Sequence, residues 1–199
     1  MRGKLPAGRS QPDAWRTWHV PLSRAALALD EAYRSLEAFG MQQRDVPLIV
    51  QLVENPRFDL PGVEIFSGAT DLRKHDCLHL LLGRGLLPKD EAFVLGFTMG
   101  STNRVGDVEE RLFTLIARYL YPKQYRFDDD DVAVYKDAVR LGYVSDCRPL
   151  AEVELDTMLE WPLGRIRHAI GLEEDLLRAY YGIEARRYPG SAESQRLLA

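Results

Sequence analysis

The chain has 199 residues, 46% of them hydrophobic and 28% charged, enough for one substantial core and too few for two independent ones. Its formal net charge of -4 and isoelectric point near 5.6 argue against broad nucleic-acid binding, which needs a concentrated basic surface. Two cysteines, Cys77 and Cys147, cannot build a disulfide framework or a cysteine zinc cluster and point to a reducing compartment, and no run of about 18 apolar residues is present to span a bilayer.

Residues 1–20 carry Arg2, Lys4, Arg9 and Arg16 against a single Asp13 and are broken by Pro6 and Pro12. They lack the apolar stretch of a secretory signal, and their composition predicts a flexible basic arm rather than a transit peptide. From Leu22, the apolar positions Leu22, Ala26, Leu29, Tyr33 and Leu36 recur in steps of three and four up to Gly40, the period of an amphipathic helix. The run VPLIVQLVENP ends at Pro56, and FDLPGVEIFSGAT reads as a loop after which Thr70 or Asp71 caps a new helix.

That helix carries His75 and His79 and should stop at Gly83-Arg84-Gly85, because glycines destabilise helix interiors and supply left-handed caps. A further helix begins near Pro88 with Asp90 and Glu91 in its first turn, where the helix dipole favours acids. The expected result is a helix hairpin. VGDVEERLFTLIARYLYP then places Val108, Leu112, Leu115 and Tyr119 on one face, and another helix follows the acidic cap at 128–131. That cap lacks the alternating ligands, glycine and closing glutamate of a calcium loop. PLAEVELDTMLEW, PLGRIRHAIGL and EEDLLRAYYGI read as three short helices. With no sustained period-two alternation, the expected fold is an all-α, compact multi-helix single domain over 21–188, with residues 189–199 as a C-terminal tail.

The chemistry concentrates in RKHDCLHLLLGRGLLPKDEAF, residues 73–93. On a helix His75, Asp76 and His79 fall within roughly 100° of arc, and Glu91, from the other arm of the hairpin, can fold back over them. Two imidazoles and two carboxylates then suit a divalent transition metal. The competing reading is a solvated polar face with Glu91 serving only the helix dipole. HDCLH also nearly matches the zinc-peptidase pattern H-E-x-x-H, but Asp76 is one methylene shorter than the glutamate base. A metal-dependent phosphohydrolase of the His-Asp type would need further ligands, and only His19 and His168 remain.

His75, Asp76, His79 and Glu91 fit H-D-x2-H-x11-E, and HDCLHLLLG is similar to an HDxxHxLLG block. In these residues the chain resembles the fourth protein of coenzyme Q biosynthesis, the Coq-four family. LLRAYYGI is similar to the closing helix of many members, while AFVLGFTMGSTNR, after Glu91, departs from the family stretch; the strong resemblance spans residues 75–91. A divergent bacterial member fits this pattern.

The resemblance implies a helical protein that binds a divalent metal, zinc first and iron, manganese or cobalt otherwise, with His75, Asp76, His79 and Glu91 as ligands. It implies oxidative decarboxylation at ring carbon one of a prenylated ubiquinone precursor, or else a lipid-binding scaffold for the other quinone-biosynthesis enzymes. A small metal-dependent hydrolase is a third alternative. The partners expected are that prenylated precursor, the other enzymes of the pathway, a membrane surface contacted peripherally and a second copy of the chain. The expected location is cytoplasmic, at the inner face of a bacterial membrane.

Gly96 and Gly100 sit one turn apart with Phe93, Phe97 and Met99 around them. Phe93, Gly96, Phe97 and Gly100 could line an apolar slot for a prenyl tail, or the small residues could admit a packed helix. Of the remaining polar features, Cys77 should be a buried thiol, His168 should lie exposed beside Arg165 and Arg167, and His19 should dock with Trp15 and Trp18 on the core.

Overall fold

A computed structural model of the chain describes residues 14–37, 72–102 and 127–199. Within them run α1 (Ala14–Thr17), α2 (Leu29–Glu37), α3 (Leu72–Leu82), α4 (Pro88–Ser101), α5 (Asp129–Val144), two 3-10 turns (Leu150–Glu152 and Leu155–Met158), α6 (Leu163–Ala169), α7 (Glu174–Arg187) and α8 (Ala192–Gln195). Apart from one isolated bridge between Ala28 and Pro162, the regular structure of the described residues is helical, and the fold is all-α. None of these helices is long and apolar enough to cross a membrane. The run at 46–56, the loop at 58–70, the caps Thr70 and Asp71 and the helix expected over 105–122 lie outside the described residues.

The helix expected from Leu22 begins only at Leu29. Its first turns are replaced by pairing with the entry to α6: Leu163 donates to Leu27 at 2.8 Å, Gly164 to Ala25 at 2.9 Å and Leu29 to Trp161 at 3.0 Å. Backbone bonds to a distant segment here override a local helical period, while Leu22 is still buried. PLAEVELDTMLEW, opened by Pro149, likewise forms two 3-10 turns rather than one helix, with Val153 in extended conformation between them.

Two expected limits of the domain move. Trp18 and Val20 of the supposed arm are buried in the core, and His19 Nε2 donates to the Gly83 carbonyl at 2.9 Å. At the other end Leu197 and Ser194 are buried and Arg196 pairs with Asp90, so residues 189–199 close onto the fold instead of trailing from it. His168 is exposed, and Cys77 and Cys147 are buried free thiols.

The α4–α5 crossing settles what the small residues at 96 and 100 do. A methyl group on Gly96 would lie 2.4 Å from the Tyr135 carbonyl, one on Gly100 2.1 Å from the Val139 carbonyl, and one on Gly142 2.3 Å from the Phe97 carbonyl. The two backbones are in contact, and Phe93 and Phe97 are fully buried and stacked at 5.8 Å between centroids. This corrects the reading of Phe93, Gly96, Phe97 and Gly100 as a prenyl slot, because α5 fills the space. Lys89 pairs with Asp131 at 3.3 Å at the start of the crossing, and Asp128 and Asp131 form a reciprocal capping box for α5. Gly100→Ala should destabilise the fold by about 1–3 kcal/mol through overpacking against a carbonyl that cannot rotate away. Denaturant unfolding measures this, and a neutral result would contradict the close crossing.

Candidate metal centre

α3 and α4 form the expected hairpin. Gly83 takes the left-handed conformation at φ 65°, and the Arg84 amide returns to the His79 carbonyl at 2.8 Å, ending α3 where the two glycines predict. Pro88 opens α4, and Asp90 accepts from the Leu87 amide at 3.2 Å. The first turn of α4 thereby faces the last turns of α3, and Glu91 points inward rather than to solvent.

Three side chains converge. His75 Nε2 lies 3.0 Å from Glu91 Oε2, His79 Nε2 lies 3.0 Å from His75 Nε2, and His79 Nε2 lies 3.3 Å from Glu91 Oε1. The imidazoles meet edge to face with centroids 4.7 Å apart. His75, His79 and Glu91 are 6%, 0% and 7% exposed, so they do not form a solvated polar face. His79 Nδ1 lies 2.6 Å from the Gly85 carbonyl. A carbonyl can only accept, so Nδ1 carries a proton, and the neutral form of the ring, the form that binds metal, is the tautomer that presents its Nε2 lone pair to the other two groups.

Could this set hold an ion? Donor atoms bound at roughly 2.0–2.1 Å and separated by 90–110° are about 2.9–3.4 Å apart; the two imidazole nitrogens meet this at 3.0 Å, and each lies in the same range from one oxygen of Glu91, His75 from Oε2 and His79 from Oε1. All three ligand atoms lie within 4.8 Å of one another, and the bond from Nδ1 to a backbone carbonyl is the second contact that metal-bound imidazoles commonly make. The buried His-His-Glu group fits a divalent metal. Asp76, the fourth expected ligand, is not in this group: it is half-buried one position further round α3. Burial pushes its carboxyl up to about 6 against the opposing pull of His75 and His79.

No family model, curated protein or solved structure matches this chain. The site therefore has to be read from its own geometry.

Burial opposes charge on both Glu91 and His79, but their mutual attraction and hydrogen bonding prevail, so Glu91 is held well below the usual carboxylate range and His79 is raised. In the metal-free protein this sets a pH window. The raised His79 contributes stability that is complete below 6.5 and lost as pH rises through its folded value. The lowered Glu91 contributes stability that is present above 4.5 and lost as pH falls toward its folded value. Chelated protein should therefore exceed chelated Glu91→Gln in thermal stability most clearly between these values, with the gap narrowing at alkaline pH. A gap independent of pH would contradict the charged pair.

Two residues essential to the hairpin were not anticipated. Arg84, in a turn read from the sequence only as a helix stop, is fully buried and makes a two-pronged pair with Glu184, Nη1 to Oε1 at 3.0 Å and Nη2 to Oε2 at 2.6 Å. The one signal was Glu184 itself, an acid falling on the same stripe of α7 as Leu177, Tyr180 and Tyr181. Arg167, expected at an exposed face, instead donates to the carbonyls of Leu80 and Leu81 at 3.2 and 2.8 Å, satisfying the end of α3 and complementing its negative pole.

Proposed function

We propose that this chain is a divalent-metal protein of coenzyme Q biosynthesis, as its H-D-x2-H-x11-E motif suggests, acting on a prenylated hydroxybenzoate by oxidative decarboxylation at ring carbon one. The observation that carries the metal part is the convergence of His75 Nε2, His79 Nε2 and a Glu91 carboxylate in a buried space. The pathway and substrate rest on the motif alone. Zinc heads the candidates, with iron, manganese and cobalt behind it, since two imidazoles and a carboxylate suit all four.

Three protein ligands among the described residues is the number that zinc and non-heme iron enzymes use while keeping a position for substrate. A bound ion would polarise a ring carboxylate or phenol oxygen as a Lewis acid, while ring carbon one, losing carbon dioxide and gaining a hydroxyl, would give up two electrons to an external oxidant such as dioxygen. The protein's own part is to hold the ion: His79 with its tautomer fixed by Gly85, His75 one turn earlier on the same face, and Glu91 from the opposing helix. Asp76, half-buried beside them, is available as an outer partner rather than as a member of the triad.

The burial of all three ligands favours a second reading, in which the ion locks the hairpin and the chain serves as a lipid-binding scaffold for partner enzymes. Purified wild type and Glu91→Ala, assayed for carbon dioxide release from a prenylated hydroxybenzoate, separate the two. Activity in the wild type that is lost in the variant supports catalysis. No turnover in either, with partner co-purification lost in Glu91→Ala, supports the scaffold; no turnover and no metal-dependent partner overturns both.

A further inference from the structure

What holds the Gly85 carbonyl where His79 needs it? Gly85 sits in a two-glycine turn with no side chain of its own to pack, and the turn is instead clamped through its neighbours. The Arg84 guanidinium lies 3.8 Å from the centre of the Phe93 ring and 4.4 Å from that of Tyr181, with both prongs on Glu184. Tyr181 donates from its hydroxyl to the Leu82 carbonyl at 2.5 Å, just before the turn. Ser194 donates to Glu184 at 2.9 Å and fixes the carboxylate in turn.

We propose that Arg84, Glu184 and Tyr181 are positioning residues of the metal centre, through which α7 sets the Gly85 carbonyl and with it the His79 ring. The same guanidinium touches Phe93, two residues beyond Glu91, so one side chain references both arms that carry ligands. A planar fork bound at both prongs fixes a direction as well as a distance. Simple stabilisation gives no reason for a buried ion pair here, since well-packed apolar residues of similar volume commonly serve as well. The Gly85 carbonyl, which holds the second nitrogen of His79, sets the orientation and basicity of the ring, and a rigid pair that places this carbonyl does have such a reason.

Cobalt(II) tests this inference, which rests on the metal reading, by separating affinity and geometry from folding. Binding is measured by chelator competition and by the visible spectrum of the bound ion, in wild type, Glu184→Gln, Tyr181→Phe and Leu150→Ala. Leu150 is a fully buried core residue at the far end of α4 and serves as a matched loss of stability. Glu184→Gln should weaken cobalt binding by about 10- to 100-fold and shift the visible bands, Tyr181→Phe should do both more mildly, and Leu150→Ala should do neither despite a lower unfolding temperature. If Glu184→Gln does not fold, Tyr181→Phe, which loses only a hydroxyl, decides the matter. Folded variants with wild-type affinity and spectrum would overturn the inference while leaving the metal reading intact. A wild type that binds no cobalt would overturn the metal reading and this inference with it.

Discussion

Glu184→Ala should cost the folded chain about 3–5 kcal/mol, because it removes the hydrogen-bonded carboxylate from a fully desolvated guanidinium and leaves only Asp90, 4.0 Å away, as counter-charge. Arg84 and Glu184 are both completely buried, and the carboxylate holds the Arg84 side chain above its ordinary range even though burial opposes its charge. The surroundings compensate poorly: Arg84 Nε lacks a hydrogen-bond partner, and Asp90, whose Oδ1 lies 4.0 Å from Nη1 and beyond hydrogen-bond reach, is already paired with Arg196 through its other oxygen. Arg84→Met combined with Glu184→Leu should recover most of the stability, since it removes both charges and keeps the volume. Equilibrium unfolding in denaturant checks the pair of results. A single variant with wild-type stability, or a double variant worse than the single, would show that the clamp is not as described.

The second large effect is expected from the ion. A ligand that binds only the folded chain stabilises it by about 4 kcal/mol at a thousandfold excess over its dissociation constant, which for a chain of this size raises the unfolding temperature by roughly 8–16 °C. Zinc added to chelated wild type should give a rise of that order. His79→Ala should give none, because the ring it removes faces both other ligands and is the one fixed by Gly85. Asp76→Asn should keep most of the rise, since Asp76 lies outside the converging group. Equal shifts in wild type and His79→Ala would place the ion elsewhere.

The hairpin was legible in the sequence because its signals are local. Two histidines one turn apart, glycines at 83 and 85, and Pro88 followed by acids each act within a few residues, and together they dictate a helix, a stop and a return. The place of Glu91 beside the two histidines followed from the same turn, because a tight reversal leaves the first turn of α4 facing α3. Asp76 is where one-face reasoning reached its limit: an arc of positions on a wheel does not decide which carboxylates meet, and the partner helix selected Glu91.

What the sequence hid is long-range. Arg84 and Glu184 are 100 positions apart, and no periodicity links a turn arginine to an acid near the end of α7. The early start expected for α2 failed for the same reason, since the strand-like pairing of residues 25–29 with 161–164 depends on a segment far along the chain. The glycines at 96 and 100 announced a close approach correctly, but only the position of α5 tells whether the visitor is a lipid tail or a helix. The limits drawn at 20 and 189 failed because composition marks polar termini, whereas Trp18, Val20 and Leu197 decide where the core ends.

Elemental analysis of the purified protein beside a folded His79→Ala variant asks whether His75, His79 and Glu91 hold a divalent metal. About one equivalent of metal per chain is expected in the wild type and background in the variant. No metal above background in the wild type, even after reconstitution with zinc, iron or manganese, would contradict it and leave the triad a buried hydrogen-bonded cluster.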